Sequence, residues 1–329
     1  MSASTTGHDD GFALGTFSAA SGARFVGLVR QEWVVPVGGR SAPASMLDLL
    51  GRWDEAMPEL RRIAELADFG AGTPLDEVRV HAPVDPPRQL FFTGANYRKH
   101  VIDLTVDQGT GPAGLSGDEL RRWAEDMMDE RAANGVPYSF LKPPSSIIGA
   151  FDDLVLPPTT AKADWELELG VVIGRGGRNI PRGEAMAHVA GYAIVNDVSA
   201  RDLIPRTDYA MLGTDWLRGK GQPGFCPFGP VLVPSAFVPD PHDLRILLTL
   251  NGQVMQDETT GDMIFDIARQ IEYVSTYCEL WPGDLISTGS PAGNGTHYGR
   301  FLRDGDVMEA TITGLGRQRN RCVGPVTHP

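Results

Sequence analysis

The sequence of 329 residues has few cysteines, no long apolar run and no excess of positive charge. Its three cysteines, Cys226, Cys278 and Cys322, are widely spaced and form no C-x-x-C pair, so a disulfide framework is not indicated. No apolar run approaches the roughly 20 residues needed to span a bilayer. The first residues lack the basic start and the apolar stretch of a signal peptide. We therefore expect a reducing, cytoplasmic location.

Positive charge is scarce, because 29 Lys and Arg residues face 42 Asp and Glu residues, for a formal net charge of −13. Binding to nucleic acid or to an anionic membrane requires a basic surface that neutralises phosphates, and the sequence offers no basic stripe for this. We therefore expect neither partner. A small anionic substrate is compatible with this charge, because two or three local cations suffice to bind it.

Glycine and proline are abundant, with 39 and 25 residues scattered between short apolar runs. This pattern indicates many turns and many short strands, and it contains no glycine-rich phosphate loop. We expect an α+β fold that is mainly β. The proline-rich stretch 80–89 is typical of a linker, which predicts a small N-terminal α+β domain in residues 1–85 and a catalytic domain in residues 86–329.

Helices are predicted at only a few places. Short strands over 12–37 are followed by two helices that begin near Ala44 and Asp54. Residues 104–136, with a charged helix starting near Gly117, lie between two apolar strands and are interpreted as a lid. An apolar stripe over 264–278 predicts one further helix.

An acidic strand over 164–174 is the most informative segment. Side chains alternate between the two faces of a strand, so Asp164, Glu166 and Glu168 would project to one side. Carboxylates that meet in a buried place repel one another unless a cation neutralises them. Oxygen ligands favour a hard ion, namely Mg²⁺, Mn²⁺ or Ca²⁺. An edge strand with a solvated acidic face is the alternative interpretation.

Two further segments carry candidate site residues. The apolar run 190–195 ends in Asn196 and Asp197, and a carboxylate at the end of a buried strand is a typical third ligand. The alternative is that Asp197 forms a turn or a helix cap. His100 and Asp103 are three residues apart and would share one face of a helix, where a carboxylate can orient an imidazole general base. The alternative for His100 is an exposed surface histidine.

Five segments, taken in this order, resemble the fumarylacetoacetate hydrolase family over roughly residues 88–323. They are DWELELGVVIG, GYAIVNDVSARD, GKGQPGFCPFGPVLVP, NGQVMQDETTGDMIF and WPGDLISTGSPAGNG. The resemblance implies the family's mixed β-roll, a small preceding N-terminal domain and an active homodimer. It also implies one Mg²⁺, Mn²⁺ or Ca²⁺ ion held by Glu166, Glu168 and Asp197.

The resemblance further implies which residues act on the substrate. The expected catalytic residues are His100, Asp103, Arg201 and Lys220. The expected substrate contacts are Ser290, Gln256 and Tyr97. Without the resemblance, Arg201 could equally form an ion pair with Asp202 or another acid, Lys220 could be a flexible surface lysine, and Ser290 could be a turn former.

The chain departs from the family at two positions. Asp103 stands where many members have a glutamate, which shortens the reach toward His100. Ile204 stands where many members have a glutamine, and an isoleucine side chain donates no hydrogen bond. Gln256, Arg206 and a lid residue are candidates to replace that donor, and the alternative is a chemistry that differs from that of the typical hydrolase. The lid is also longer than in compact members.

The implied activity is hydrolysis of a C–C bond in an acylpyruvate-like β-diketo or 2-oxo acid through a metal-stabilised enolate. His100 would take a proton from water, while Arg201 and Lys220 stabilise the oxyanion. The first alternative is a 2-oxo acid decarboxylase, hydratase or isomerase with the same site. The second alternative is a non-catalytic binding protein with a decayed site.

Overall fold

The structure is a computed structural model that describes residues 11–19, 22–38 and 42–324. The first ten residues, on which the expectation of no signal peptide rests, lie outside the described residues. The fold is α+β and mainly β, as expected. No helix in the described ranges is long and apolar enough to cross a membrane.

An N-terminal sheet of five strands covers the first part of the chain, in the order β4-β3-β2-β1-β5. Its strands are β1 (Ala13–Ser18), β2 (Arg24–Arg30), β3 (Trp33–Pro36), β4 (Thr73–Pro74) and β5 (Arg79–Val80). Two helices, α1 (Met46–Leu50) and α2 (Trp53–Leu66), lie between β3 and β4. The predicted strands over 12–37 and the predicted pair of helices are therefore confirmed.

The N-terminal sheet packs directly on the rest of the molecule. Leu14 and Leu232 exchange two backbone hydrogen bonds of 2.8 and 2.7 Å. Phe12 and Leu28 belong to the same buried cluster as Phe92 and Val172. The two parts of the chain thus share a hydrophobic core, and a boundary near residue 85 stays a prediction.

A second, larger sheet of mixed direction forms the centre of the molecule, in the order β7-β6-β18-β11-β12-β14-β8, with β15 pairing on β12. Its strands are β6 (Leu90–Gly94), β7 (Tyr138–Lys142), β8 (Ile147–Gly149), β11 (Leu167–Ile173), β12 (Val189–Asn196), β14 (Cys226–Phe228), β15 (Val233–Pro234) and β18 (Leu285–Ser287). Every residue of β11 and β12 is buried, because sheet neighbours flank both strands and apolar clusters cover both faces.

A third sheet of five strands, in the order β17-β16-β19-β20-β9, and a two-stranded ladder complete the β structure. The strands of the third sheet are β9 (Leu154–Val155), β16 (Arg245–Leu250), β17 (Gln253–Thr259), β19 (Val307–Ile312) and β20 (Arg317–Val323). The ladder joins β10 (Ala163–Asp164) to β13 (Ser199–Ala200).

Five more helices follow the N-terminal pair in the described residues. They are α3 (Arg98–Gln108), α4 (Gly117–Asn134), α5 (Trp216–Lys220), α6 (Ile267–Tyr277) and α7 (Gly295–Tyr298). The charged helix predicted near Gly117 is α4, which begins with a capping box between Ser116 and Glu119. The helix predicted within 264–278 is α6, capped by Asp266. Helices α3 and α4 pack on each other through a small cluster around Ile102, Ala124 and Met128.

Candidate metal centre and active site

Three acidic side chains meet at the middle of the large sheet. Glu168 lies on β11 opposite Val195, Glu166 lies just before β11, and Asp197 follows β12 directly. The Asp197 N–H donates to the Glu166 carbonyl at 2.8 Å, which fixes the two strand ends side by side. One carboxylate oxygen from each residue lies within 4.8 Å of the others, and all three residues are buried. The structure therefore brings together the three residues expected to hold a metal ion.

Asp164 does not join this group, contrary to the prediction of an unbroken alternating strand. The strand is interrupted at Trp165 and Glu166, so Asp164 belongs to the short ladder instead. Its carboxylate accepts the N–H groups of Gly295 and Thr296 and the Arg201 Nε at 2.8 Å. Asp164 thus anchors Arg201 and the start of α7.

Cations compensate two of the three carboxylates. Lys220 at the end of α5 donates to both Glu166 and Asp197, and its side chain is only 3 % exposed. Arg201 donates to Glu166 at 2.6 Å. Burial alone would raise the pKa of Glu166, but Arg201 and Lys220 outweigh it and hold that pKa well below its usual value. Lys220 is therefore part of the site and not a flexible surface lysine.

A second buried lysine, Lys142 on β7, escaped the sequence analysis. Its side chain is fully buried, and its ammonium donates to Asp197 Oδ1 at 2.6 Å and to the carbonyls of Val198 and Phe225 at 3.0 and 2.5 Å. The only sequence signal is a lysine at the end of an otherwise apolar strand. Its role depends on the pairing of β7 with β6, which no local pattern reveals.

Glu168 is the one carboxylate of the three that has only neutral hydrogen-bond donors. The Ser287 hydroxyl donates at 2.5 Å and the Gly289 N–H at 3.0 Å. Gly289 has φ +99, and a side chain there would meet Thr93 and Asn96, so the turn that brings its N–H to Glu168 requires glycine. Burial and the charges of Asp197 and Glu166 raise the pKa of Glu168 well above its usual value. Three converging carboxylates with this uncompensated charge fit a hard divalent cation.

His100 lies in the first turn of α3 and lines the cavity with these carboxylates. The preceding Asn96 fixes the start of that helix, because its side chain bonds Phe265 and Thr288 at 2.8 to 3.0 Å. His100 is half-buried, and burial lowers its pKa, so the neutral imidazole that can accept a proton is favoured. It is therefore not the exposed surface histidine of the alternative interpretation.

The expected contact between His100 and Asp103 is not formed in the described structure. Asp103 accepts a hydrogen bond from Arg121 of α4 at 3.1 Å instead. The shorter aspartate side chain is one physical reason, and the arginine that α4 supplies is the other. Arg98 of α3 pairs in the same way with Asp129 of α4 at 2.8 Å. The lid segment of residues 104–136 thus contains the end of α3 and the whole of α4.

A cavity of about 270 Å³ connects the carboxylates with α3. Ser290 lines this cavity, in agreement with its expected contact with the substrate. Gln256 does not, because it is buried and its side chain bonds the Leu167 N–H, Ser290 and the carbonyl of Pro291. Tyr97 is also enclosed in the core. The structure therefore does not support substrate contacts for Gln256 and Tyr97.

Ile204 and the two residues expected to replace its missing hydrogen-bond donor all lie outside the cavity lining. The Ile204 side chain packs on Gly219 in α5 and does not line the cavity. Arg206 is bound to Asp208 and Asp215 at the surface. Neither Gln256 nor Arg206 lines the cavity, and the replacement of the missing donor by either residue stays a prediction.

Comparison with known proteins now identifies the class of fold and site. A family model described as fumarylacetoacetate (FAA) hydrolase C-terminal matches residues 89–323. The fumarylacetoacetate hydrolase of Exiguobacterium antarcticum superposes with a TM-score of 0.75 at 31 % identity, covering 95 % of this chain and 100 % of that chain. The chain therefore belongs to the fumarylacetoacetate hydrolase family.

Two relatives show which activities occur among proteins that are similar in sequence to this chain. The 2,4-didehydro-3-deoxy-L-rhamnonate hydrolase of Sphingomonas sp. (strain SKA58) is 39 % identical over 285 residues, which are 85 % of this chain and 89 % of that protein. The mitochondrial oxaloacetate tautomerase FAHD2A of Bos taurus is 36 % identical over 283 residues, which are 85 % and 80 % of the two chains. The protein is thus an enzyme-family member whose relatives include hydrolases and tautomerases.

Proposed function

We propose that the protein is a metal-dependent hydrolase that cleaves a C–C bond in an acylpyruvate-like β-diketo or 2-oxo acid. The observation that carries the proposal is that Glu166, Glu168 and Asp197 share one cavity with the half-buried His100. Glu166, Glu168 and Asp197 would hold one Mg²⁺, Mn²⁺ or Ca²⁺ ion. When bound, the ion supplies Lewis-acid polarisation of the substrate oxygens.

The side chains of the cavity supply the remaining chemistry. His100 takes a proton from water, and the hydroxide adds to the distal carbonyl of the substrate. Arg201 and Lys220 place positive charge beside the oxygen that becomes negative. The C–C bond then breaks, its electron pair and a proton go to the methylene carbon, and a carboxylic acid and pyruvate leave. Asp103 would orient His100 after release from Arg121.

A second candidate function is tautomerisation or another lyase or isomerase reaction of a 2-oxo acid. The relative of 36 % identity named oxaloacetate tautomerase favours it. A tautomerisation needs a proton acceptor and positive charge near the substrate oxygens, but it does not need a positioned water.

Turnover of acylpyruvates and of oxaloacetate, with Mg²⁺ or with EDTA, tests the proposal. We expect Mg²⁺-dependent release of pyruvate from an acylpyruvate, and we expect Glu166→Ala to lower kcat/KM at least about 100-fold, since changes even to groups that only support metal ligands have effects of up to that size. Unchanged turnover in Glu166→Ala, or in EDTA, would show that the acidic centre is not the metal site. Tautomerisation of oxaloacetate without pyruvate release would favour the second function.

Three finer expectations accompany this proposal. The homodimer is checked by the mass of the protein in solution. Binding of Mg²⁺, Mn²⁺ and Ca²⁺ is compared by calorimetry. The cytoplasmic location stays a prediction that localisation of the full chain would test.

A further inference from the structure

The cavity has two walls of different chemistry. The carboxylate wall consists of Glu166, Glu168, Asp197, Arg201, Lys220 and Ser290. The second wall, here called the neutral wall, consists of Val101, Leu104, Thr105, Gln108, Phe140 and Trp216. Among the described lining residues, every Asp, Glu, Lys and Arg belongs to the carboxylate wall.

Helix α3 carries the neutral wall away from His100. Val101, Leu104, Thr105 and Gln108 follow the spacing of one helix face. A helix rises about 1.5 Å per residue, so the eight steps from His100 to Gln108 extend this wall by roughly 12 Å. The acidic residues of the same helix point elsewhere, because Asp103 bonds Arg121 and Asp107 bonds His297.

Aromatic rings complete the neutral wall. Phe140 and Trp216 are half-buried and stack with their ring centroids 4.9 Å apart and an interplanar angle of 20°. They offer flat apolar area at little entropic loss, since an aromatic side chain has few rotatable bonds. Apolar or unsaturated groups suit this surface better than charged ones.

The cations of the cavity are already paired with protein carboxylates. Arg201 bonds Asp164 and Glu166, and Lys220 bonds Glu166 and Asp197. Lys220 Nζ lies 5.2 Å from the centroid of the Phe140 ring, so the part of the neutral wall without a cation is the part that α3 supplies. A substrate that carries a second carboxylate at its far end would place it on that part. A carboxylate that is removed from water without a partner is strongly disfavoured.

The size of the cavity shows that the far end of the substrate matters. A single water needs about 10–15 Å³ of cavity volume, so a cavity of about 270 Å³ has room for more than a pyruvyl group alone. The remaining space faces the neutral wall.

We infer that the substrates of this site are 2,4-dioxo monocarboxylic acids whose acyl end is uncharged and apolar, and that α3 with Phe140 and Trp216 selects against a second, distal carboxylate. This inference rests on the proposed function, because it takes the pyruvyl group to bind at the carboxylate wall. It distinguishes this chain from a dicarboxylate enzyme with the same acidic centre.

A pair of matched substrates tests the inference with the Mg²⁺-loaded full chain. Pentanoylpyruvate and glutarylpyruvate differ only in a terminal methyl group against a carboxylate. We expect kcat/KM for pentanoylpyruvate to be higher by about tenfold or more, in the range that apolar pockets achieve. Equal values, or a preference for glutarylpyruvate, would overturn the inference.

A charge added to the neutral wall gives the sharper test. Gln108→Arg should reduce the preference for pentanoylpyruvate at least about fivefold by pairing with the distal carboxylate. Gln253→Arg, the same change at an exposed position outside the cavity, should leave the ratio unchanged. A ratio that stays constant in Gln108→Arg, or that shifts equally in both variants, contradicts the role of the neutral wall.

Binding separates this inference from the proposed reaction. Calorimetry on Mg²⁺-loaded His100→Ala measures the affinities for the two compounds without turnover. If neither compound is hydrolysed by the unaltered protein but pentanoylpyruvate binds more tightly, the proposed reaction is wrong and the selectivity stands. If neither compound binds, both proposals fail.

Discussion

The carboxylate wall and the α3 side of the cavity are held in place by different forces. Glu166, Glu168 and Asp197 are at most 6 % exposed and stand at the centre of a sheet, where buried cations compensate the charges of Glu166 and Asp197. Helix α3 is joined to α4 by a small apolar cluster and by ion pairs that solvent reaches. Buried charge networks react strongly to the loss of one member, whereas exposed ion pairs contribute little. Substitutions on the two sides should therefore differ greatly in effect.

The largest effect is expected from Lys142→Met. This change keeps the length of the side chain but leaves Asp197 Oδ1 and two carbonyls without their ammonium donor. We expect the free energy of unfolding to fall by about 3 kcal/mol, as is typical when one partner of a buried ion pair is removed. Urea unfolding measures this, and added Mg²⁺ should restore part of the loss by supplying positive charge.

The exposed Lys162 offers the matched control, since Lys162→Met should change stability by less than about 0.5 kcal/mol. If Lys142→Met were as stable as the unaltered protein, the buried charges would not be what holds the carboxylate wall together.

A second, smaller effect is expected from His100→Ala on the α3 side. Loss of a positioned general base should lower kcat by about 100-fold, with little change in stability. The pKa of His100 is lowered by burial, so the neutral base persists below the usual value of 6.5. The acidic limb of kcat/KM against pH should therefore have its midpoint below pH 6.5 and disappear in the variant.

His188 serves as the control for this prediction, because it does not line the cavity, and His188→Ala should keep both the rate and the pH profile. An acidic limb that survives in His100→Ala would mean that another group titrates it.

The smallest effect is expected from Arg121→Ala. Arg121 is 46 % exposed, and its pair with Asp103 is an exposed one that contributes less than about 1 kcal/mol. We expect kcat/KM to change by less than about threefold, because α3 keeps its apolar contacts and Asp103 becomes free to approach His100. Thermal unfolding at low and high salt measures the effect on stability, and kinetics at the same salt concentrations measure the effect on kcat/KM. A tenfold loss of activity would show that this exposed ion pair matters as much as the buried charge network. The expected difference in sensitivity between the carboxylate wall and the α3 side would then be wrong.

Local patterns predicted much of the fold and part of the site. The helices α2 and α6 follow from apolar spacing, and α4 follows from its charged composition, which are patterns within a few residues. The acidic residues at 166, 168 and 197 stand out because charge is rare in buried strands. Together with the other family-like segments, in the same order, they identified the family. A family model that matches residues 89–323 confirms it.

Predictions failed where side chains distant in sequence compete for one partner. Asp164 does not join Glu166 and Glu168, because its carboxylate accepts hydrogen bonds from Arg201, Gly295 and Thr296. Asp103 pairs with Arg121, eighteen residues away, instead of His100. The Gln256 side chain forms hydrogen bonds with backbone groups of two other segments, at Leu167 and Pro291. None of these contacts leaves a periodic signal in the sequence.

The sequence by itself placed Glu166, Glu168 and Asp197 within or at the ends of apolar strands, and it left open whether the acidic strand was buried or had a solvated acidic face. Only the tertiary structure decided which cations compensate them, since Lys142, Arg201 and Lys220 reach the centre from three different elements. It also decided that the rest of the cavity is uncharged. Charge pairing acts over a few ångströms in space, and sheet pairing sets those distances independently of separation along the chain.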